Sequence, residues 1–318
     1  MSKGEEKSQV AIADDAHWEE LFADAIQKVP FSTLEWRELV SVISDLKSDS
    51  VIVFYKNKPI AGINIYYRVK GGRKYSKHPA FTPYNTIIFS KAINSVSADE
   101  KIRLTTLLAD FIKSNYIYPY FLTDVTLIDL RAFQWSGYKV STGYTFLVDP
   151  FDVKPDPDIV RRARKCGEEG FYCKEELNAD IFYNLVKSTT ARQSIRNSIS
   201  LEQIKVILEY AGKFAFGITS YDAENSPLAS WIQMGIDNRI YNWNAASDSS
   251  QLAKGGSPFV VMKLLELLKN KGTEVWDLCG ADHPSVARFK GSIGGVLTPY
   301  FKVDYSDYPL IDKIKYRF

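Results

Sequence analysis

The sequence predicts an α/β protein made of two successive copies of one mixed-sheet unit. Three observations lead there. Each half shows the same order of periodicities: two amphipathic helices, an antiparallel hairpin, then strand, helix and strand. Phe133, Ser136 and Tyr144 recur as Phe289, Ser292 and Tyr300, all shifted by about 156 positions, and a common offset is what an internal duplication leaves. Between the halves, residues 149–158 are dense in Asp and Pro, a linker composition. The expected domains are residues 1–150 and 151–318.

In the first copy, residues 17–27 have helical spacing, with Trp18, Leu21, Phe22 and Ala25 on one face. Residues 33–46 form a second helix behind Ser32 or Thr33 as N-cap. Residues 51–55 and 60–69 make a hairpin around the turn at 56–59. A short strand follows at 86–89. Residues 97–114 read as a long amphipathic helix, with Ser97 and Glu100 spaced as a capping box. Strands at 121–129 and 144–148 close the unit. In the second copy, 159–167 is a helix carrying Arg161, Arg162, Arg164 and Lys165. Such a run meets phosphates or, more commonly, forms a solvated face. Helices at 179–188 and 201–211 precede a hairpin of 214–221 and 228–235. A strand at 239–246, a helix at 258–270, a strand at 273–279 and a last strand at 297–305 complete it. The final crossover should be parallel and right-handed.

The 318 residues suffice for two ordinary domains, and 45% hydrophobic with 25% charged residues gives each half a normal core. A net charge of +2 argues for neither a basic nucleic-acid binder nor an acidic tail, though it leaves room for a local basic groove. Three cysteines without CxxC spacing fit a reducing compartment, and three histidines make a metal site unexpected. The first fifteen residues lack an apolar signal core, and no apolar run reaches the ~20 residues that span a bilayer. A cytoplasmic protein is expected, and the sequence assigns no oligomeric state.

The richest stretch runs from Trp276 through Gly280-Ala281-Asp282 to Phe289-Lys290 and Gly294-Gly295: an apolar strand, a short helix and a glycine turn. Together with Pro30-Phe31-Ser32-Thr33 and Trp36, the loop Pro79-Ala80-Phe81-Thr82-Pro83-Tyr84-Asn85, and Phe133-Gln134-Trp135-Ser136-Gly137-Tyr138 leading to Tyr144-Thr145-Phe146, it resembles the FemAB and BioF2-like branch of the GNAT acyltransferase superfamily. The resemblance covers the chain from about Trp18 to Tyr305. It implies a mixed-sheet fold of two tandem GNAT-like domains. Characterised relatives pass an aminoacyl group from aminoacyl-tRNA to a peptidoglycan precursor, and others act as acyltransferases in polysaccharide or cell-envelope pathways. The long helical arm that some Fem transferases carry for tRNA has no counterpart in this sequence.

Candidate residues concentrate in the second copy, where Lys290 stands at the position of Gln134 in the first. On a helix lining a cleft, the Lys290 ammonium can bind an anionic acceptor or stabilise charge on a carbonyl oxygen; most lysines, however, are surface residues. The match of Phe289-Lys290 to the Fem-type Phe-Lys pair implies the functional role. Asp248, Asp277 and Asp282 fall at or near the ends of the two parallel strands, where ligands of open α/β sheets bind. Asp248 is the candidate to take a proton from an attacking amine, whereas Asp282, just before Pro284, suits a helix cap. Lys254, Gly255, Gly256 and Ser257 form a strand-to-helix loop whose free N–H groups attract phosphate or carboxylate, with Ser257 as cap and Pro258 at the first helical position. In GNAT enzymes the matching loop cradles the coenzyme A pyrophosphate, but the usual Q/R-x-x-G-x-G/A pattern is absent here. Asn242 and Asn244 should share one face of their strand, with Trp243 on the other. With Tyr84, Asp282 and Phe289 they make the candidate acceptor-binding set. His283 reads as an exposed turn residue.

The function expected is an acyl- or aminoacyltransferase. It would move an acyl group from acyl-CoA or aminoacyl-tRNA to an amine of an envelope or polysaccharide precursor, with no tightly bound cofactor. The alternative is a catalytically silent binding module.

Overall fold

A computed structural model of the chain describes residues 8–192 and 199–306. They form two units: the residues up to Thr142 together with those from Tyr300 on, and Gly143–Pro299. This division departs from the halves 1–150 and 151–318 because the two closing strands find their partners in the opposite half.

The first unit contains β1 (Ser8–Ala13), α1 (Asp15–Ala23), α2 (Leu34–Ile43), β2 (Lys47–Tyr55), β3 (Lys58–Lys70), β4 (Arg73–Ser76), β5 (Ile88–Phe89), α3 (Ala98–Asn115), β6 (Tyr120–Leu122) and α4 (Arg131–Trp135); β7 (Lys139–Val148) begins here and continues into the second unit. Strands β1 to β4 lie in sequence order as an antiparallel sheet, with β5 also paired to β3. Alternation decides the two faces. Val51, Val53, Ile63 and Ile65 pack with Leu104, Leu108 and Ile112 of α3. Ile52 and Phe54 face the other way, onto Trp18 and Leu21 of α1 and Ala25 just beyond it. Each such side chain contributes about 1.5–3 kcal/mol when fully buried. Thr33 caps α2 by accepting the Trp36 N–H, and Ser97 caps α3 by accepting the Glu100 N–H at 3.3 Å.

The strand expected over 121–129 is only Tyr120–Leu122. The Asp124 carboxylate accepts the N–H and hydroxyl of Thr126, and this local turn ends the strand. Strands β1 and β4 had no place in the sequence reading. Both are short edge strands with polar positions, so neither shows a strong apolar period.

The second unit contains α5 (Pro157–Glu168), β8 (Tyr172–Glu175), α6 (Ala179–Arg192), α7 (Leu201–Tyr210), β9 (Ala215–Tyr221), β10 (Pro227–Ile236), β11 (Arg239–Ser247), α8 (Gly256–Asn270), β12 (Val275–Asp277) and α9 (Pro284–Ser292), then the start of β13 (Val296–Asp304). Its strand order is β8-β9-β10-β11-β12-β7. Only β11 and β12 are parallel in this series, joined through α8 as expected. Val260, Val261, Leu264 and Leu268 of α8 pack on Trp231, Ile240 and Trp276 of the sheet. Residues 144–148, read from sequence as closing the first copy, instead pair with β12, Leu147 opposite Asp277 and Val148 opposite Trp276. The later residues of β13 close the first unit by pairing with β6, Lys302 opposite Leu122.

Candidate active site

The site is built where β11 and β12 part. Their parallel register ends at Tyr241 opposite Asp277. Beyond it, Leu278 N donates to Phe146 O at 3.0 Å and Ala281 N to Tyr144 O at 2.6 Å, so the chain leaving β12 follows β7. Strand β11 continues to Ser247 along β10. A bulge helps it diverge: Gln233 faces Asn242 and Ile232 faces Asn244, leaving Trp243 as the extra residue. The bulge also breaks the simple alternation expected of Asn242, Trp243 and Asn244. The far end of β11 is fastened by Thr189 Oγ1, which accepts the Ser247 N–H and donates to the Ser247 carbonyl, both at 2.9 Å.

Lys290 reaches the parting from α9. Its Nζ donates to the carbonyls of Leu278 at 2.6 Å, Cys279 at 2.5 Å and Gly280 at 2.8 Å. Cys279 and Gly280 have φ of 50° and 69°. Two successive left-handed residues turn the three carbonyls toward one point. Burial pushes the Lys290 pKa down, opposed by the negative charges that Cys279 and Asp277 can carry. Beneath the turn, the fully buried Asp277 accepts the Thr145 hydroxyl at 2.7 Å and the Cys279 N–H at 2.8 Å, and pairs with Arg239 at 3.6 Å.

The loop expected to hold the donor is packed by protein. A methyl group on Gly255 would stand 3.2 Å from Cys166 Sγ, and one on Gly256 would stand 2.6 Å from Leu228 Cβ. Gly255 (φ 87°) is itself the N-cap of α8, so Ser257 and Pro258 lie inside the first turn instead of at the cap and first position. Arg162 donates to the Leu252 carbonyl at 2.7 Å, and the Cys166 thiol to that of Lys254 at 3.1 Å. Lys254 forms a 2.8 Å ion pair with the buried Asp222, which raises the lysine pKa. Of the other basic residues on α5, Arg161 pairs with Asp158, Arg164 with Glu168 and Lys165 with Glu169. The run reads as a solvated, self-neutralised face.

Asp248 organises its own loop. It accepts the Ser250 N–H, the hydroxyls of Ser250 and Ser188, and the Gln251 amide. Burial pushes its pKa up, but these bonds outweigh burial and hold it below the usual range. Asn242 accepts the Gln233 amide at 2.8 Å, and Gln233 in turn accepts the Trp276 indole N–H at 2.8 Å. All three residues are buried, and this relay crosses β10, β11 and β12. Asn244 accepts the Ala245 N–H, so the two asparagines are not partners of each other. Trp243 is buried beside Phe182. Phe289 is half-buried, edge-on to Trp231.

Asp282 does not cap α9. The N-cap position is His283, and Asp282 Oδ1 accepts the Tyr144 N–H at 3.0 Å. Tyr84 lies in the first unit, 1% exposed and edge-on to Tyr300, which leaves its ring no face for a ligand in this conformation. Gln134, at the first copy's counterpart of Lys290, lines a cavity of about 310 Å³ with Leu130, Val140 and Phe301. Sequence reasoning passed over Gln233, Thr145, Arg239 and Cys279. Gln233 alone carried a signal, a lone amide inside the apolar run of β10.

The parting of the parallel pair, the bulge and the repeated unit can be compared with solved structures. FemX superposes with a TM-score of 0.71 at 10% identity, covering 98% of this chain and 100% of its own. The fold is a tandem GNAT fold. L-PGS from Bacillus licheniformis (TM-score 0.59, 12% identity, 95% of each chain) shares it. So does a tandem GNAT protein from the clavulanic acid biosynthesis pathway (TM-score 0.51, 11% identity, 95% of this chain and 100% of that one). No family model and no curated protein matches the sequence. Among the described residues, no helix is long and apolar enough to cross a membrane, and no group of three or more His, Cys, Asp or Glu can hold a metal ion.

Proposed function

We propose that the chain is an acyltransferase whose second GNAT unit passes an acyl or aminoacyl group to an amine of a cell-envelope or polysaccharide precursor. The observation that carries this reading is the parting of β11 from β12 after Tyr241 and Asp277. It leaves the backbone edge of β11 from Asn242 onward without a paired strand on that side among the described residues, a place where an extended donor can hydrogen-bond. In the reaction the amine nitrogen attacks the donor carbonyl carbon, the carbon–oxygen or carbon–sulfur bond breaks, and the amine proton passes, directly or through water, to the departing hydroxyl or thiol group. Positioning and stabilisation of the developing oxyanion supply most of the acceleration. Of the two donors, we favour an aminoacyl ester over acyl-CoA, because the Q/R-x-x-G-x-G/A pattern is absent and Cys166, Arg162 and Leu228 pack against the Cα side of Gly255 and Gly256.

One observation favours a second reading, a binding module without turnover. Lys290 and Asp248 both spend their hydrogen bonds on the protein itself. Calorimetry with coenzyme A and acetyl-CoA, beside a transfer assay with aminoacyl-tRNA and envelope-precursor amines, separates these readings. Transfer without CoA binding supports the aminoacyl version. Saturable CoA binding lost in Gly256→Asp reverses the choice of donor. Neither binding nor transfer leaves the silent module.

A further inference from the structure

The Lys290 ammonium has three N–H donors, and all three are engaged. In this arrangement no N–H of Lys290 is left to donate to a reacting carbonyl. The acceptors come from three consecutive residues, Leu278, Cys279 and Gly280, and all are neutral backbone oxygens. Three oxygens converging at 2.5–2.8 Å select a group offering three N–H donors from one atom, which describes a primary ammonium. The planar guanidinium and the quaternary ammonium lack that arrangement. The cage has a buried floor at Leu278 and a half-exposed rim at Cys279 and Gly280, and it follows directly on the last paired residue of β12, Asp277. Asp277, the carboxylate whose charge acts on Lys290, commits Oδ1 to Thr145 and Cys279 and its charge to Arg239. Lys290 is therefore held by backbone dipoles and not by a carboxylate contact, and its burial depresses its pKa. A second ammonium competes for the same oxygens on equal chemical terms.

We propose that the carbonyls of Leu278, Cys279 and Gly280 form a subsite for the primary ammonium of an amine-bearing substrate, with Lys290 as its tethered occupant in the unliganded protein. The inference rests on the acyltransferase reading, and it gives that reading a substrate class. An arriving ammonium takes over the three carbonyls and releases Lys290 Nζ into the cleft. Acid–base chemistry favours the α-ammonium of an aminoacyl donor over the attacking amine. The donor's ammonium can stay protonated throughout, whereas the attacking nitrogen must lose its proton before it forms a bond.

The test uses the full chain with Lys290→Met and needs no transfer assay, so its failure and the failure of the acyltransferase reading are separate results. Alaninamide, ethylammonium, Nα-acetyl-lysinamide and tetramethylammonium are titrated at matched ionic strength, with binding read by thermal shift and calorimetry. The first three should bind Lys290→Met saturably and raise its melting temperature, while wild type binds them at least about tenfold more weakly because Lys290 competes. Tighter binding of alaninamide assigns the subsite to the donor. Tighter binding of Nα-acetyl-lysinamide keeps the subsite and assigns it to the acceptor. An equal response to tetramethylammonium, or no response to any amine, overturns the proposal. Should Lys290→Met not fold, alaninamide titrated into wild type must shift the backbone amide resonances of Cys279 to Ala281; unmoved resonances overturn it equally.

Discussion

Asp277 accepts the Thr145 hydroxyl at 2.7 Å, and with both residues fully buried this bond fastens the end of β12 to β7 and away from β11. Replacing Thr145 with Val leaves the carboxylate one donor short in a dry site. The expected loss is about 1.5–3 kcal/mol, the range for a bond to a charged group. Thr145→Ser keeps the hydroxyl and should recover most of it. Urea unfolding of the three proteins measures the difference, and a Val variant as stable as wild type would show that the bond contributes nothing.

The Trp276–Gln233–Asn242 relay makes a second prediction. Gln233→Leu strands a buried indole N–H and a buried amide oxygen together, so about 2–5 kcal/mol should be lost. Asn242→Leu removes only the last member. Residues of one network are not additive, and the double variant should cost clearly less than the sum of the two. Strict additivity in denaturant unfolding would mean that the three groups act independently.

Gly255 and Gly280 offer a paired comparison. Both are left-handed, with φ of 87° and 69°, so alanine at either carries a similar backbone cost of about 1–2 kcal/mol. Gly280 has open space around it, whereas a methyl on Gly255 presses on Cys166 Sγ. Gly255→Ala should be the more destabilising by at least about 1 kcal/mol. Equal melting temperatures would show that α5 yields at no cost and that the loop can open for a ligand.

Burial lowers the His78 pKa to about 4, only partly offset by its 2.7 Å bond to the Thr82 carbonyl. Below the ordinary value of 6.5 the unfolded chain takes a proton that the folded protein refuses until about 4. Stability contributed by neutral His78 is thus full above 6.5 and is lost as the pH falls to 4. Between pH 7 and 4.5 the loss is about 2–3 kcal/mol. His78→Gln cannot titrate and should lose less stability over the same interval by about that amount. Parallel urea curves at the two pH values decide it.

The duplication was legible because the shared offset carries Phe133 and Tyr144 onto Phe289 and Tyr300 whatever their surroundings. The long helices were legible through Leu104, Leu108 and Ile112, and the hairpins through alternation. The exchange of closing strands was not, because pairing partners far apart in sequence leave no local pattern. Nor was the bulge at Trp243, which inserts one residue into an otherwise regular run. At the site, sequence brought Lys290, Asp277 and Asn242 into view as residue types near strand ends. It could not show that Lys290 would turn onto three carbonyls, because that depends on left-handed backbone at Cys279, a residue with no intrinsic preference for it.

The crossed closing strands also fix how early in synthesis each sheet has all of its strands available. Every helix of the first unit among the described residues is made before residue 136, yet β6 pairs with Lys302, Val303 and Asp304, made much later. The second unit can take β7 as soon as β12 emerges. The half that is synthesised first is the half completed last, and a chain cut between the two halves would leave β6 without its partner β13 and β12 without its partner β7.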